Sequence, residues 1–136
     1  MNKEFVPYEQ ALALKELGFN EETICVYNSY KQLKGVIISS MDGDYIKKDK
    51  WDDRLPAPTY QQAFRWFREK HNIDISINTV YSKYNENTSK KYGGVIDNES
   101  VFTNVGFYKT YEEAELECLK KLIEIVNEKH TRTTNK

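Results

Sequence analysis

The chain has 136 residues, 30% of them charged and 13% aromatic, and its formal net charge at pH 7 is −1. That length suits one compact domain and excludes two independent cores. Because the charges nearly cancel, no global field attracts the chain to nucleic acid or to an anionic membrane, and a basic site would have to be local. No apolar run suits a signal peptide or a membrane span, so we expect a cytoplasmic protein.

The first predicted elements are a helix and a hairpin. The helix is predicted over residues 8–17, and we expect Gly18 to end it in a Schellman motif that folds Phe19 back on the helix. Beta-branched and aromatic residues over 23–40 then predict an antiparallel hairpin with Gly35 in its turn.

The two cysteines are far apart in the chain. Cys25 and Cys118 have apolar neighbours and form neither a Cys-x-x-Cys pair nor a zinc spacing. This setting is typical of buried, reduced thiols, and a disulfide or a reactive thiol is the alternative. The acidic turns at 42–44 and 97–99 lack the spacing of a calcium loop, so we expect no metal. The sequence has neither a phosphate-binding glycine loop nor a Rossmann fingerprint, and we expect no cofactor.

The second helix opens with a capping box made by Thr59 and Gln62. Its apolar face comprises Tyr60, Ala63, Phe64, Phe67 and His71. At about 100° per residue, Trp66 lies roughly 120° from the centre of that face, on an otherwise polar flank. Trp66 is therefore predicted to project from the polar side of the helix.

Strands follow the second helix. One is predicted over 73–84, with a bulge near Asn78 where the apolar alternation slips by one residue. The polar stretch 85–94 predicts a long hairpin loop, and two further strands are predicted over 92–96 and 101–108.

The third helix is predicted from Tyr111 to about Glu128, capped by Thr110, with a polar tail over 130–136 that frays. Its apolar arc is wider than one packing surface needs. Either this is the central helix of a domain over residues 1–129, or one flank meets another chain in a homodimer.

Together these elements predict an α+β fold of three helices packed on antiparallel sheet, in the order α-ββ-α-ββ(β)-α. Tyr-x-x-Ala opens each helix, at Tyr8, Tyr60 and Tyr111, with spacings of 51 to 52 residues. The spacing indicates a two-fold internal repeat. The alternative is that this tetrapeptide is a common way to begin an amphipathic helix.

Segments 8–19, 57–70 and 110–126 resemble a group of small uncharacterised proteins from phages and mobile elements of gut bacteria. The resemblance covers the three helices, about a third of the chain. It implies a genomic setting and carries over no active-site residues.

Two basic and aromatic clusters are the candidate binding sites. The first lies on the second helix and the second lies just before it: Arg65, Trp66, Arg68 and Lys70, and Lys50, Trp51 and Arg54. Arginine beside an exposed tryptophan is typical of interface hot spots and of surfaces that stack bases. The alternative is that Trp66 covers a sheet edge and the arginines are merely solvated. Tyrosines 81, 84 and 92, with nearby lysines, form a weaker candidate.

No catalytic or phosphate-binding motif is present, and no catalytic residues are predicted. We therefore expect a non-enzymatic binding protein. The resemblance implies a phage-type accessory protein that binds a host or phage macromolecule, as an inhibitor or a sequestering protein. The alternative is a nucleic-acid or nucleotide-binding module that uses the second helix.

Overall fold

The computed structural model describes residues 2–37, 45–47 and 54–134. Its helices are a 3-10 turn (Asn2–Glu4), α1 (Tyr8–Glu16), α2 (Tyr60–His71) and α3 (Tyr111–Thr134). Its strands are β1 (Cys25–Tyr27), β2 (Leu33–Ile37), β3 (Tyr45–Lys47), β4 (Leu55–Ala57), β5 (Ile73–Tyr84), β6 (Asn87–Asn98) and β7 (Val101–Tyr108). The predicted α+β class is confirmed.

The chain divides into two compact units, residues 1–63 and 64–136, and the division falls within α2. The described strands form one sheet in each unit, ordered β3-β2-β1-β4 in the first and β5-β6-β7 in the second. Pairing is antiparallel throughout except between β2 and β3, which are parallel. The prediction of one domain over 1–129 stays a prediction, as does the internal repeat.

In the first unit, α1 packs beside β4, and the core includes the fully buried Val6, Leu14 and Val26. The Tyr27 hydroxyl is buried in this core and donates to the Val6 carbonyl oxygen at 2.6 Å. A buried phenol needs such a partner, because an unmade hydrogen bond in an apolar setting costs about 1–3 kcal/mol.

The end of α1 confirms the predicted Schellman motif. Gly18 has a φ of +105°, and its N–H donates to the Lys15 carbonyl at 3.0 Å. The Phe19 N–H donates to the Leu14 carbonyl at 2.9 Å, and the Phe19 side chain is buried. These two bonds satisfy carbonyls that the helix end leaves without intrahelical donors.

The turn of the first hairpin was predicted wrongly. Gly35 lies within β2, opposite Cys25, and the turn occupies the residues between Tyr27 and Leu33. There the Asn28 side-chain oxygen accepts from the backbone N–H of Tyr30 and of Gln32, while Lys31 takes a positive φ of 62°. An asparagine side chain can organise a turn in this way without glycine.

The first turn of α2 confirms the cap by Thr59, whose hydroxyl oxygen accepts from the Gln62 N–H at 3.2 Å. The Gln62 side-chain nitrogen donates to the Glu21 carboxylate at 3.3 Å and to the Glu22 carbonyl at 2.9 Å. The Gln62 side chain therefore makes a tertiary contact, and the return bond to the Thr59 N–H in the predicted capping box stays a prediction.

The second sheet has a longer hairpin than the sequence predicted. Strands β5 and β6 pair without a register shift from Ile73 opposite Asn98 to Tyr84 opposite Asn87. No bulge lies near Asn78, and the turn is only Asn85 and Glu86. A polar sequence does not stop pairing, because backbone groups can bond across strands whose side chains stay in water.

The register shift lies instead between β6 and β7. Gly94 pairs with Gly106 and Val95 with Asn104, which leaves Val105 as the extra residue. Gly106 has a φ of 136°, in the region that favours glycine.

Helix α3 crosses all three strands of this sheet. A Cβ atom on Gly94 would overlap Sγ of the buried Cys118, so the helix and β6 approach closely only because residue 94 is glycine. The helix runs to Thr134 rather than ending near Glu128, because no Gly or Pro interrupts it. Fraying of the last residues stays a prediction.

The broad apolar arc of α3 is buried within the chain. Six of its members are at most 8% exposed: Ala114, Cys118, Leu119, Leu122, Ile123 and Val126. Tyr111 is 41% exposed, and Leu116 and Ile125 are partly exposed. The buried part of the arc fits the central-helix alternative, and the homodimer through α3 stays a prediction. Both cysteines are free thiols, with Cys118 buried and Cys25 partly exposed. Among the described residues, no helix has the length and apolar composition to cross a membrane.

Candidate functional site

The structure divides the predicted cluster on α2. Trp66 is only 4% exposed, whereas Arg65, Arg68 and Lys70 are exposed. The Arg68 Nε atom lies 4.0 Å from an Asp74 carboxylate oxygen. The prediction of an exposed Trp66 was wrong, so this face has cations without the tryptophan ring that made it a stacking or hot-spot candidate.

The surroundings of Trp66 explain its burial. Its ring packs edge-on against Phe67 and His71, with centroid distances of 5.0 and 4.9 Å. The centroid of the His71 ring in turn lies 6.4 Å from that of the His130 ring on α3. Burial, followed by the charges of His130 and Lys129, lowers the pKa of His71. The apolar arc of α2 is thus wider than a single helical face, which the angle of one residue on a helical wheel could not reveal.

The second predicted cluster is only partly described. Lys50 and Trp51 lie outside the described residues. Arg54 is described, and it lines a cleft in the first unit beside the end of α1. The tyrosine candidate is also divided, since Tyr81 is 66% exposed on the β5–β6 hairpin while Tyr92 packs edge-on against Tyr111 at 5.7 Å.

The strand predicted over 101–108 is confirmed as β7, but sequence reasoning missed the exposure of its apolar side chains. Val101, Phe102 and Phe107 are 66%, 70% and 62% exposed. Phe102 and Phe107 pair with Asp97 and Gly93 of β6, positions that alternate with those facing α3. The Phe107 ring lies over Gly93 and covers it. Two large aromatic side chains therefore lie on the sheet face opposite α3.

Strand β7 is also an edge strand among the described strands. Asn98 and Val101 flank the two-residue turn Glu99–Ser100, so they form the hydrogen-bonded pair that closes the hairpin. Alternation along an antiparallel ladder then directs the backbone N–H and C=O groups of Phe102 and Asn104 away from β6. These groups are available to another strand.

A groove of about 260 Å³ runs between this edge and α3. The sheet contributes Asn98, Val101 and Thr103, and the helix contributes Lys121, Ile125, Glu128, Lys129 and Arg132. The lining has apolar surface from Val101 and Ile125 and three cationic side chains against one anionic side chain. Lys121 lies 3.2 Å from Glu124, and Lys129 donates to Asn98 Oδ1 at 3.3 Å.

The described residues offer no group of three or more His, Cys, Asp or Glu side chains that could hold a metal ion. Comparison with protein-family models, with curated proteins and with solved structures found no match to this chain.

Proposed function

We propose that the protein is a non-enzymatic binding module that takes an extended segment of a partner protein as an additional strand beside β7. The observation that carries this proposal is the edge of β7, where outward backbone groups lie beside the strongly exposed Val101 and Phe102. An exposed apolar edge strand is an aggregation hazard unless it has a partner. An added strand would form hydrogen bonds with the outward backbone groups of β7 and would cover its apolar side chains.

The groove gives the added strand its specificity. Side chains of a strand alternate between the two faces of a sheet. One set would enter the groove between β7 and α3, and the other would lie beside Phe102 on the open face. In this mode of recognition the main chain provides affinity, and pockets for alternate side chains provide selectivity.

The charge of the groove favours an acidic partner. Lys121, Lys129 and Arg132 outnumber Glu128 in its lining, beside the apolar Val101 and Ile125. A segment that alternates acidic and apolar side chains matches both properties. Pairing of β7 with β7 of a second copy would bring two cationic grooves to the same side of the joined sheet, where they repel.

The resemblance of the helices to phage and mobile-element proteins supports a search for the partner among host or phage proteins, and inhibition or sequestration of that partner is the corresponding role. Nucleic-acid binding through α2 has less support, because Trp66 is buried and the net charge is −1.

The experiment is a selection from a displayed library of random peptides. Wild-type protein is the bait, and Asn104→Pro is the counter-bait. Proline at this exposed edge position removes the outward N–H without removing a bond to β6. Asn104→Ala is the matched control, and urea unfolding of all three establishes that they fold.

We expect acidic-apolar peptides that bind wild type and Asn104→Ala alike and bind Asn104→Pro at least about tenfold more weakly, since each lost hydrogen bond costs about 1 kcal/mol and a further strand contact is blocked. Light scattering should show a monomer without peptide. Selected peptides that bind folded Asn104→Pro as well as wild type, or a monomer–dimer equilibrium that Asn104→Pro abolishes, would refute the proposal.

A further inference from the structure

The first unit contains a cleft of about 640 Å³ whose residues lie entirely within the described part of residues 1–63. Its lining comes from the end of α1, the chain that follows it, and the start of β4: Lys15, Gly18, Phe19, Asn20, Glu21, Glu22, Arg54 and Pro56. The volume is within the range of small-molecule sites, about 300–1,000 Å³. This cleft is independent of the β7 groove.

Arg54 is the unusual member of this lining. Its Nε atom is buried and has no hydrogen-bond partner in the described part of the chain. Buried polar atoms in native proteins almost always have partners, and an exception needs an explanation. A guanidinium offers Nε–H and Nη–H as a planar pair that fits both oxygens of a carboxylate.

The other charges in the cleft define the rest of the ligand. Lys15 and Arg54 are cationic, and Glu21 and Glu22 are anionic, so the lining has no net charge. The Glu21 carboxylate is held in place by the Gln62 side-chain nitrogen at 3.3 Å. The two cationic side chains would attract a simple anion, but the two carboxylates would repel it. A zwitterion can place its carboxylate near the cations and its ammonium group near the carboxylates.

The end of α1 adds partial negative charge beside the cleft. Gly18 and Phe19 terminate the helix and line the cleft, so the partial negative charge of a helix C-terminus borders it. That charge favours an ammonium group and disfavours a second carboxylate. We infer that the cleft binds a small zwitterion, an amino acid or a short peptide, with its carboxylate on Arg54 and its ammonium group toward Glu21.

The test uses the whole chain labelled with ¹⁵N and follows the Arg54 Nε–H resonance during titration with glycylglycine. Acetate and ethylamine serve as probes that each carry only one of the two charges. Arg54→Gln removes the proposed carboxylate partner, and Glu21→Gln removes the charge of the ammonium partner while keeping an oxygen acceptor.

We expect glycylglycine to shift the Arg54 resonance saturably and to bind at least about tenfold more tightly than acetate or ethylamine, because a charge-assisted hydrogen bond contributes about 1.5–3 kcal/mol. Arg54→Gln should lose this binding, and Glu21→Gln should reduce glycylglycine affinity to that of acetate. A wild-type resonance that does not shift, or acetate affinity equal to that of glycylglycine, overturns the inference without reference to any variant.

Discussion

Substitution of Gly94 by alanine tests the contact that holds α3 on the second sheet. The added Cβ would overlap Sγ of Cys118, which is fully buried and cannot swing into solvent. Overpacking of a dense core costs about 1–3 kcal/mol. The loss of glycine entropy in the unfolded chain returns about 0.4–1 kcal/mol. We therefore expect the free energy of unfolding to fall by about 1–2 kcal/mol.

Gly93 is the matched control, since it is the preceding residue and faces the other side of the sheet. A Cβ there meets the Phe107 ring at 3.0 Å, but that ring is 62% exposed and can move. Gly93→Ala should change the free energy of unfolding by no more than about 0.5 kcal/mol.

The assay is urea unfolding followed by circular dichroism, with Cys118→Ala made alone and in combination. Removal of Sγ relieves the overlap, so Gly94→Ala and Cys118→Ala together should destabilise less than the sum of the two, by about 0.5–3 kcal/mol. Equal effects of Gly93→Ala and Gly94→Ala, or strict additivity with Cys118→Ala, would refute the proposed contact.

Three further predictions concern buried groups. Trp66→Ala should cost about 3–5 kcal/mol by urea unfolding, and Arg65→Ala, one residue away on the exposed side, about 0.5 kcal/mol or less; comparable losses would contradict the burial of Trp66. Burial and the neighbouring Glu112 raise the pKa of Glu115 from 4.5 to about 7. The folded chain thus binds this proton more tightly than the unfolded chain, and the free energy of unfolding should fall as pH rises between those two values and then level off. Glu115→Gln should remove that component of the slope in a urea series, and an unchanged slope would count against it. Burial raises the pKa of Cys118 to about 11, so a thiol reagent should label the partly exposed Cys25 first and Cys118 only on unfolding; equal labelling rates would contradict this order.

Local signals in the sequence predicted the starts of α2 and α3 and the end of α1 well, but not the end of α3 at Thr134. A threonine before Tyr60 and another before Tyr111 mark helix starts, because a hydroxyl three residues before an N–H can accept its hydrogen bond. Gly18 marks a helix end because only glycine takes its φ of +105° at little cost. Both signals act within a few residues and need no knowledge of the rest of the chain.

The remaining features depend on neighbours that are distant in sequence. The helical wheel gave the angle of Trp66, but its burial depends on how many elements surround α2. The polar part of the β5–β6 hairpin was mistaken for a loop, because backbone pairing there does not bury side chains. The exposure of Phe102 follows from its place on the sheet face opposite α3 and from the position of β7 at the end of the strand order, which no local pattern encodes.

The proposed binding at the β7 edge can be tested most directly by amide hydrogen exchange, measured residue by residue with and without a selected peptide. Partner pairing should slow exchange at Phe102 and Asn104, whose N–H groups point away from β6, and should leave Thr103 unchanged because its N–H already bonds to β6. This alternation is the signature of an added strand. Uniform slowing along β7, or protection confined to α2, would contradict it.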